Sequence, residues 1–521
     1  MTMARLSRTT LDKLAPSVRR PRFDPAGLTM GIVHLGVGAF ARAHLAWYTQ
    51  PLLTRDPQWG IAGVSLRSQG TRDALKPQDW LYSCLERDTD NDTVSVMAGV
   101  TGVFAAPGNR DALQAMTDPN VRIVSISVSE KGYHRRAVDG ALDENDPLIQ
   151  ADLRSPESPS TAPGLIVAAL KRRLKAGSPP FTVMCCDNLP ENGASTRSLV
   201  ASFAYLVDPA LARTIQDDVA FPNSMVDRIV PATTDDDREL VERTLGVHDA
   251  WPVVCEPFSQ WVLEDRFSLG RPAWEQADVE IVDNVRPYET MKLRLLNGSH
   301  SAIAYLGQLA GWATVSDAIA EQPLADFIHA LMTEAASTLR MPASTDVAAY
   351  QSALLRRFSN KALQHHTAQI AIDGSQKLPM RIFATAQDRL AAGLRSPCMA
   401  LVTAAWLRFL QQRNDNGAPL TVDDPNKDKL LNAARAADTP RSLMKSIFAL
   451  SEIVPGALAA SEAFENDVLD ALTILSNSGA RSTLTKFNHR EEVHEYHERF
   501  TDGLLAGRVV TGPGAGASCT R

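Results

Sequence analysis

Gly31-Ile-Val-His-Leu-Gly36-Val-Gly38-Ala39-Phe40-Ala41 is the stretch that decides the fold. The apolar run Met30 to Leu35 has the length of a buried strand; it leads directly into G-x-G-x-x-A and then into a helix-compatible run, Arg42 to Tyr48. Strand, tight turn and helix are the context that gives this spacing a physical meaning. Gly36 permits the turn, Gly38 lets a pyrophosphate approach the backbone, and small Ala41 allows close helix packing, with the phosphates at the helix N-terminus. Gly36, Gly38, Ala39, Phe40 and Ala41 are therefore the expected dinucleotide-binding residues. Glycine-rich turns after strands are common, so the motif needs support from the rest of the chain.

Outward from this stretch, short β-rich runs at Gly60 to Leu66, Val121 to Val128 and Phe181 to Cys186 alternate with helical ones, the pattern of a parallel sheet with crossover helices. From about Pro287 the pattern changes to long amphipathic stretches, Met291 to Leu309, Leu324 to Leu339 and Met399 to Gln411. The chain of 521 residues is long enough for two cores. The expected fold is α/β: an N-terminal Rossmann-like domain with a parallel-rich sheet over residues 1–286, then a mainly α-helical C-terminal domain over 287–507. The Gly/Ala-rich stretch Thr511 to Ser518 marks 508–521 as a disordered tail. At the end of the second strand an NAD site usually carries a carboxylate for the ribose 2′-hydroxyl. This chain has Arg67-Ser68-Gln69-Gly70 there, so Arg67 joins the expected cofactor residues, with NAD as the cofactor and NADP admitted by the arginine.

Composition excludes several function classes. An apolar fraction of 44% and a charged fraction of 22% belong to a globular protein, and no stretch reaches the roughly 18 uninterrupted apolar residues of a membrane span. Met1 to Arg22 lacks a signal-peptide core. A formal charge of −7 argues against a nucleic-acid footprint, leaving a small molecule as the expected partner. Six cysteines without C-x-x-C spacing suggest neither a disulfide framework nor a cysteine zinc site, and fit a reducing cytoplasm.

Tyr288-Glu-Thr-Met-Lys292-Leu-Arg294-Leu-Leu-Asn297-Gly-Ser-His300-Ser-Ala-Ile-Ala-Tyr305 carries the chemistry. At about 100° per residue Lys292, His300 and Asn297 fall near 0°, about 80° and about 140° of a helical wheel, one polar face opposite an apolar one. Carbonyl reduction needs a proton donor and a clamp on the developing alkoxide, and a partly buried lysine beside a cationic cofactor is suited to the first task. Lys292 is the expected acid/base, Asn297 polarises the oxygen and His300 holds a neighbouring hydroxyl. The plainer alternative is a solvated helix face. The small residues Gly298, Ser299, Ser301 and Ala302 weaken it, because they suit the close approach of another body. Tyr288-x-x-x-Lys292 also has short-chain dehydrogenase spacing, but the glycine spacing and chain length do not.

With these residues read, the chain resembles the mannitol dehydrogenase family, the polyol-specific long-chain dehydrogenases, over nearly its whole length. The match rests on Gly36-Val-Gly-Ala-Phe-Ala-Arg-Ala-His44, Glu130-Lys-Gly-Tyr133, Cys186-Asp-Asn188-Leu-Pro-Glu-Asn192-Gly193, Phe221-Pro-Asn-Ser-Met-Val-Asp227-Arg-Ile-Val-Pro231 and Lys292-x4-Asn297-x2-His300. The resemblance implies a metal-free mechanism with Lys292 as acid/base, Asn188 and Asn297 as oxyanion clamp, His300 orienting substrate and Asp227 near the site. An ion pair of that aspartate region with Arg228 is the structural alternative. The glycine loop departs from the family's His-Arg-Ala-His-Gln, reading Ala41-Arg-Ala-His-Leu45.

Two members of the family set the functional expectation. Lys292-Leu-Arg294, Glu130-Lys-Gly-Tyr133 and Gln369-Ile-Ala-Ile-Asp373-Gly-Ser-Gln-Lys377-Leu-Pro-Met-Arg381 are similar to fructuronate reductases, also called mannonate oxidoreductases. Arg294, Lys377 and Arg381 are then expected at the substrate, with Arg294 or Arg381 on its carboxylate, since a guanidinium fork suits that group. Substrate is expected between the domains. Mannitol 2-dehydrogenase is the alternative activity, and a non-catalytic dinucleotide sensor the alternative class.

Overall fold

The computed structural model describes residues 3–105, 110–136 and 139–488. The expected tail, 508–521, and Cys519 lie outside the described residues. The chain divides into two compact units, Met1–Glu289 and Thr290–Arg521.

Eleven strands are found among the described residues of the first unit: β1 (Met30–Leu35), β2 (Gly60–Ser65), β3 (Tyr82–Glu86), β4 (Thr93–Met97), β5 (Val100–Ala105), β6 (Ile123–Ile126), β7 (Thr182–Cys185), β8 (Ser224–Asp227), β9 (Val253–Cys255), β10 (Gln260–Glu264) and β11 (Glu280–Val282). The main sheet has the order β5-β2-β1-β6-β7 with every neighbouring pair parallel. In β1, Ile32, Val33 and Leu35 are wholly buried, because helices and loops cover both faces of such a sheet and alternation gives way to a continuous apolar run. The strand order reverses between β1 and β6, which is where a doubly wound sheet opens a crevice at the carboxyl ends of its strands. Two three-stranded sheets, β4-β3-β9 and β11-β10-β8, complete the unit.

The helix after the glycine turn differs from the expected single run. It spans Ala39–Ala43, breaks at His44 (φ −123°, ψ −77°) and resumes over Leu45–Thr49. The imidazole of His44 is held in an aromatic cluster, stacked on Phe40 at 4.9 Å and edge-on to Tyr48 and Trp261, and this packing outweighs helical continuity.

Among its described residues the second unit is helical, with only isolated bridges as β structure. The expected stretches appear as Gln322–Ala336 and Pro397–Phe409, while Met291–Leu309 is not one regular helix. Arg286–Met291 leads into a π-helical turn over Lys292–Asn297, after which Gly298–Ala310 is α-helical. A second π turn, Pro379–Phe383, follows the short helix Gly374–Leu378. Pro379 offers no N–H to the preceding turn and crowds the carbonyl four residues back, so the coil widens there. The two π turns pack against each other, and a Cβ on Gly298 would lie 3.2 Å from the carbonyl oxygen of Arg381.

Candidate active site

In the first unit the site begins where β1 ends. Gly36 has φ +93°, and a Cβ there would sit 1.9 Å from the carbonyl oxygen of Ser127, so the turn admits no side chain. Its N–H donates to the Val64 carbonyl at 2.8 Å, tying the turn to β2. Gly38 has an ordinary φ of −76°, and a Cβ on it would meet nothing nearer than 3.9 Å. The space beyond is a cavity of about 310 Å³ lined by Gly36, Gly38, Ala39 and Phe40, by Ser127, Val128 and Ser129 after β6, by Cys186, Asp187 and Asn188 after β7, and by Val226 of β8. Gly38 caps the helix Ala39–Ala43 without a side-chain hydrogen bond, so the first helical N–H groups are left for a ligand. An open glycine cradle at a helix start and a sheet switch point fits a dinucleotide pyrophosphate.

Four of the expected cofactor residues, Gly36, Gly38, Ala39 and Phe40, thus share one cavity, and Asn188 joins them from the opposite wall. Ala41 does not line it: buried, it packs toward His34 and Arg42, a place that suits its small size. Arg67 is exposed beyond the end of β2 and also stands outside the lining.

The loops of the cavity are braced from beneath. Asn192 is wholly buried; its Nδ2 donates to the carbonyls of Cys185, Asp187 and Ser224 at 3.2, 3.0 and 2.8 Å, and its Oδ1 accepts from the Ser224 N–H at 2.8 Å. Asp227 is buried at the end of β8, next to the cavity-lining Val226. The neighbouring Arg228 pairs with Glu86 at 2.9 Å, donates to the carbonyls of Ala43 and Glu256, and lies over the Trp47 ring. That guanidinium is structural, and Glu86 is the carboxylate it holds.

In the second unit the π turn changes the expected geometry. The N–H of Gly298 reaches back five residues to the Leu293 carbonyl, so a residue and the fifth one after it share a face. Lys292 and Asn297 stand in that relation, whereas an α-helical wheel separates them by about 140°. His300 follows one turn later, in the α-helix. Lys292 is buried, with 7% of its surface exposed.

Basic groups surround His300. Its ring packs against Phe358 at 5.0 Å and edge-on against His365 at 5.2 Å. Burial, together with the charges of His365, Arg357, Arg381 and Lys292, holds it well below the usual imidazole range and therefore neutral. Arg381, on the second π turn, donates weakly to the carbonyl of Asn297 at 3.5 Å and to the Ser301 hydroxyl at 3.3 Å. Burial draws its guanidinium down to about 10, and among the described residues no carboxylate pairs with it. Arg294 is engaged elsewhere: it pairs with Asp388 at 2.5 Å and donates to the Thr338 hydroxyl. The ammonium of Lys377 donates to the carbonyl of Ile372 at 2.6 Å.

Known proteins share both halves of this arrangement. Residues 30–276 match the Mannitol dehydrogenase Rossmann domain and residues 284–474 the Mannitol dehydrogenase C-terminal domain. The D-mannonate oxidoreductase of Escherichia coli (strain K12) is 41% identical over 483 residues, covering 91% of this chain and 98% of that protein. The chain belongs to the mannitol dehydrogenase family. A mannitol 2-dehydrogenase of Phaeosphaeria nodorum is 39% identical, covering 90% of this chain and 84% of that one. The structure of the Pseudomonas fluorescens mannitol 2-dehydrogenase, a ternary complex with NAD and D-mannitol, is 38% identical with a TM-score of 0.78, over 93% of this chain and 99% of that one. As a mannitol dehydrogenase family member, the chain is an oxidoreductase acting on CH–OH groups.

Sequence reasoning missed several residues of these sites. Ser127 to Ser129 and Asp187 line the cavity at the glycine turn, and the signal was present: they directly follow β6 and β7, whose carboxyl ends flank the switch point. Arg357 and His365 act on His300 from segments with no motif of their own, and nothing in their local sequence points to them.

Proposed function

We propose that this mannitol dehydrogenase family member is an NAD(P)-dependent reductase of D-fructuronate, giving D-mannonate, and that it runs the reaction in both directions. The observation that carries the reading is Arg381. Its half-buried guanidinium is drawn down by desolvation and, among the described residues, has no carboxylate partner, a cost that a bound substrate carboxylate offsets. Arg357, Arg381 and Lys292 place positive charge around the neutral His300, which suits a sugar acid better than an uncharged ketose.

In this reading the nicotinamide, when bound, supplies the hydride. Lys292 gives its Nζ proton to the forming alkoxide, which Asn188 and Asn297 clamp by their carboxamide N–H groups. His300, neutral and therefore both donor and acceptor, holds the hydroxyl next to the reacting carbon. Arg381 takes the carboxylate, and Arg294, already paired with Asp388, does not. Asp227 and Lys377 shape the surroundings. The similarity to mannitol 2-dehydrogenases favours D-fructose and D-mannitol as the second substrate pair.

Nicotinamide absorbance followed with NADH and NADPH against fructuronate, fructose, mannonate and mannitol tests the proposal. Fructuronate is expected to exceed fructose in kcat/KM by about 100-fold, the worth of one buried charged contact. Equal or better rates with fructose replace the uronate reading by the polyol one, and cofactor binding without turnover on any sugar overturns both.

A further inference from the structure

Asp187 is a half-buried carboxylate in the wall of the glycine-loop cavity, and the chemistry proposed above gives it no task. Its Oδ2 accepts from the Tyr133 hydroxyl at 2.5 Å and from the Val128 N–H at 2.8 Å, and the Ser127 hydroxyl also bonds to it. Three segments meet at this one side chain: the end of β6, the 3₁₀ turn Glu130–Tyr133, and the loop after β7 that presents Asn188. Two of the donors, Ser127 and Val128, line the same cavity.

We propose that Asp187 is a positioning residue which, through Tyr133 and Val128, locks the two loops of the cofactor cavity in their binding geometry and aims the adjacent Asn188. The inference rests on the reading of that cavity as a dinucleotide site. A carboxylate that accepts several hydrogen bonds fixes its donors as long as it is ionised; once protonated it loses acceptor strength and the loops lose their common anchor. No cation faces it. The titratable groups around it are Tyr133, Cys185 and Cys186, all neutral there because burial raises each of them. Burial likewise raises Asp187 to about 6, while the bonds from Tyr133, Val128 and Ser127 pull it down. The anchor is therefore set near the acid edge of the working range.

The test is binding of NADH, or of NADPH if that is the tighter, by nucleotide fluorescence between pH 5 and 8, without any sugar. Affinity of the unmodified protein is expected to fall through a single titration near pH 6, by at most about tenfold per pH unit below the midpoint. Asp187→Asn is expected to bind weakly with no such titration. Tyr133→Phe removes a donor that favours the ionised form, so its midpoint moves to higher pH, a shift that a merely structural role would not produce. A titration retained in Asp187→Asn, an unmoved midpoint in Tyr133→Phe, or tighter binding in acid each overturns the inference and leaves the reductase reading standing. Failure of the unmodified protein to bind either nucleotide sinks both.

Discussion

The candidate residues of the two units are set in opposite materials. In the first unit the cavity wall is bare backbone at Gly36 and Gly38, and a carboxylate braced by Tyr133 and Val128 stands in the same lining. In the second unit the residues around His300 include long cationic side chains, the buried Lys292 and Arg357 and the half-buried Arg381. A backbone cradle is specified by what is absent, and substitution there acts by filling space. A buried cationic cluster is specified by charge, and substitution there acts by removing a partner.

The contrast breaks first at Lys292. Lys292→Ala is expected to lower turnover by about 10²- to 10⁴-fold, the range for a lost general acid, with nucleotide affinity close to that of the unmodified protein. Stopped-flow single turnovers check this, and ordinary rates would remove the lysine from the mechanism. Gly38→Val is the counterpart in the backbone cradle. Its Cβ enters open cavity at an allowed φ, so the fold should persist while nucleotide binding weakens by roughly 100-fold. Gly36→Ala fails differently, since its Cβ meets the Ser127 carbonyl at 1.9 Å with φ +93°; denaturant unfolding should report a loss of at least about 2 kcal/mol.

Arg381 and Arg294 sharpen the comparison within the cationic region. Arg381→Leu is expected to cost about 30- to 100-fold in kcat/KM for fructuronate and little for an uncharged ketose. Arg294→Leu breaks a partly exposed ion pair with Asp388 and should change stability by no more than about 1 kcal/mol, with KM nearly unaltered. The reverse pattern in steady-state kinetics would exchange their roles.

The smallest effect concerns acid stability. His34 of β1 is buried and its imidazole is pushed down to about 4, so the folded protein holds it neutral where the unfolded chain, near about 6.5, takes up a proton. Stability is therefore full above about 6.5 and falls as pH drops toward about 4, by at most about tenfold in the folding equilibrium per pH unit. His34→Asn should flatten that slope in urea titrations at pH 7, 6 and 5; an unchanged slope would assign the acid sensitivity to other groups.

Much of this was legible in the residues. The run from Met30 to Ala41, the strand-like stretches after it and the amphipathic stretches from about Pro287 correspond to the parallel sheet and the helical unit, because period and turn chemistry are local properties. Gly36, Gly38 and Asn188 could be named for the same reason: the demands of a tight turn and of the strand ends act over a few residues. The helix wheel drawn for Lys292, Asn297 and His300 was the wrong wheel, since nothing in Lys292-Leu-Arg-Leu-Leu-Asn297 marks a π turn. That widening comes with the packing of Gly298 against the backbone of Arg381, some eighty positions along the chain.

By itself, then, the sequence determined the sheet and its helical companion and the glycine cradle, and it singled out Lys292, Asn297 and His300 as the candidates for the chemistry. Tertiary structure alone decided which arginine is committed to Asp388 and which, half-buried, has no carboxylate partner among the described residues, and that Asp187 gathers two loops onto one carboxylate. The physical reason is range: turns, caps and periodicity are written over a few residues, whereas burial and charge pairing are sums over neighbours that only the folded chain brings together.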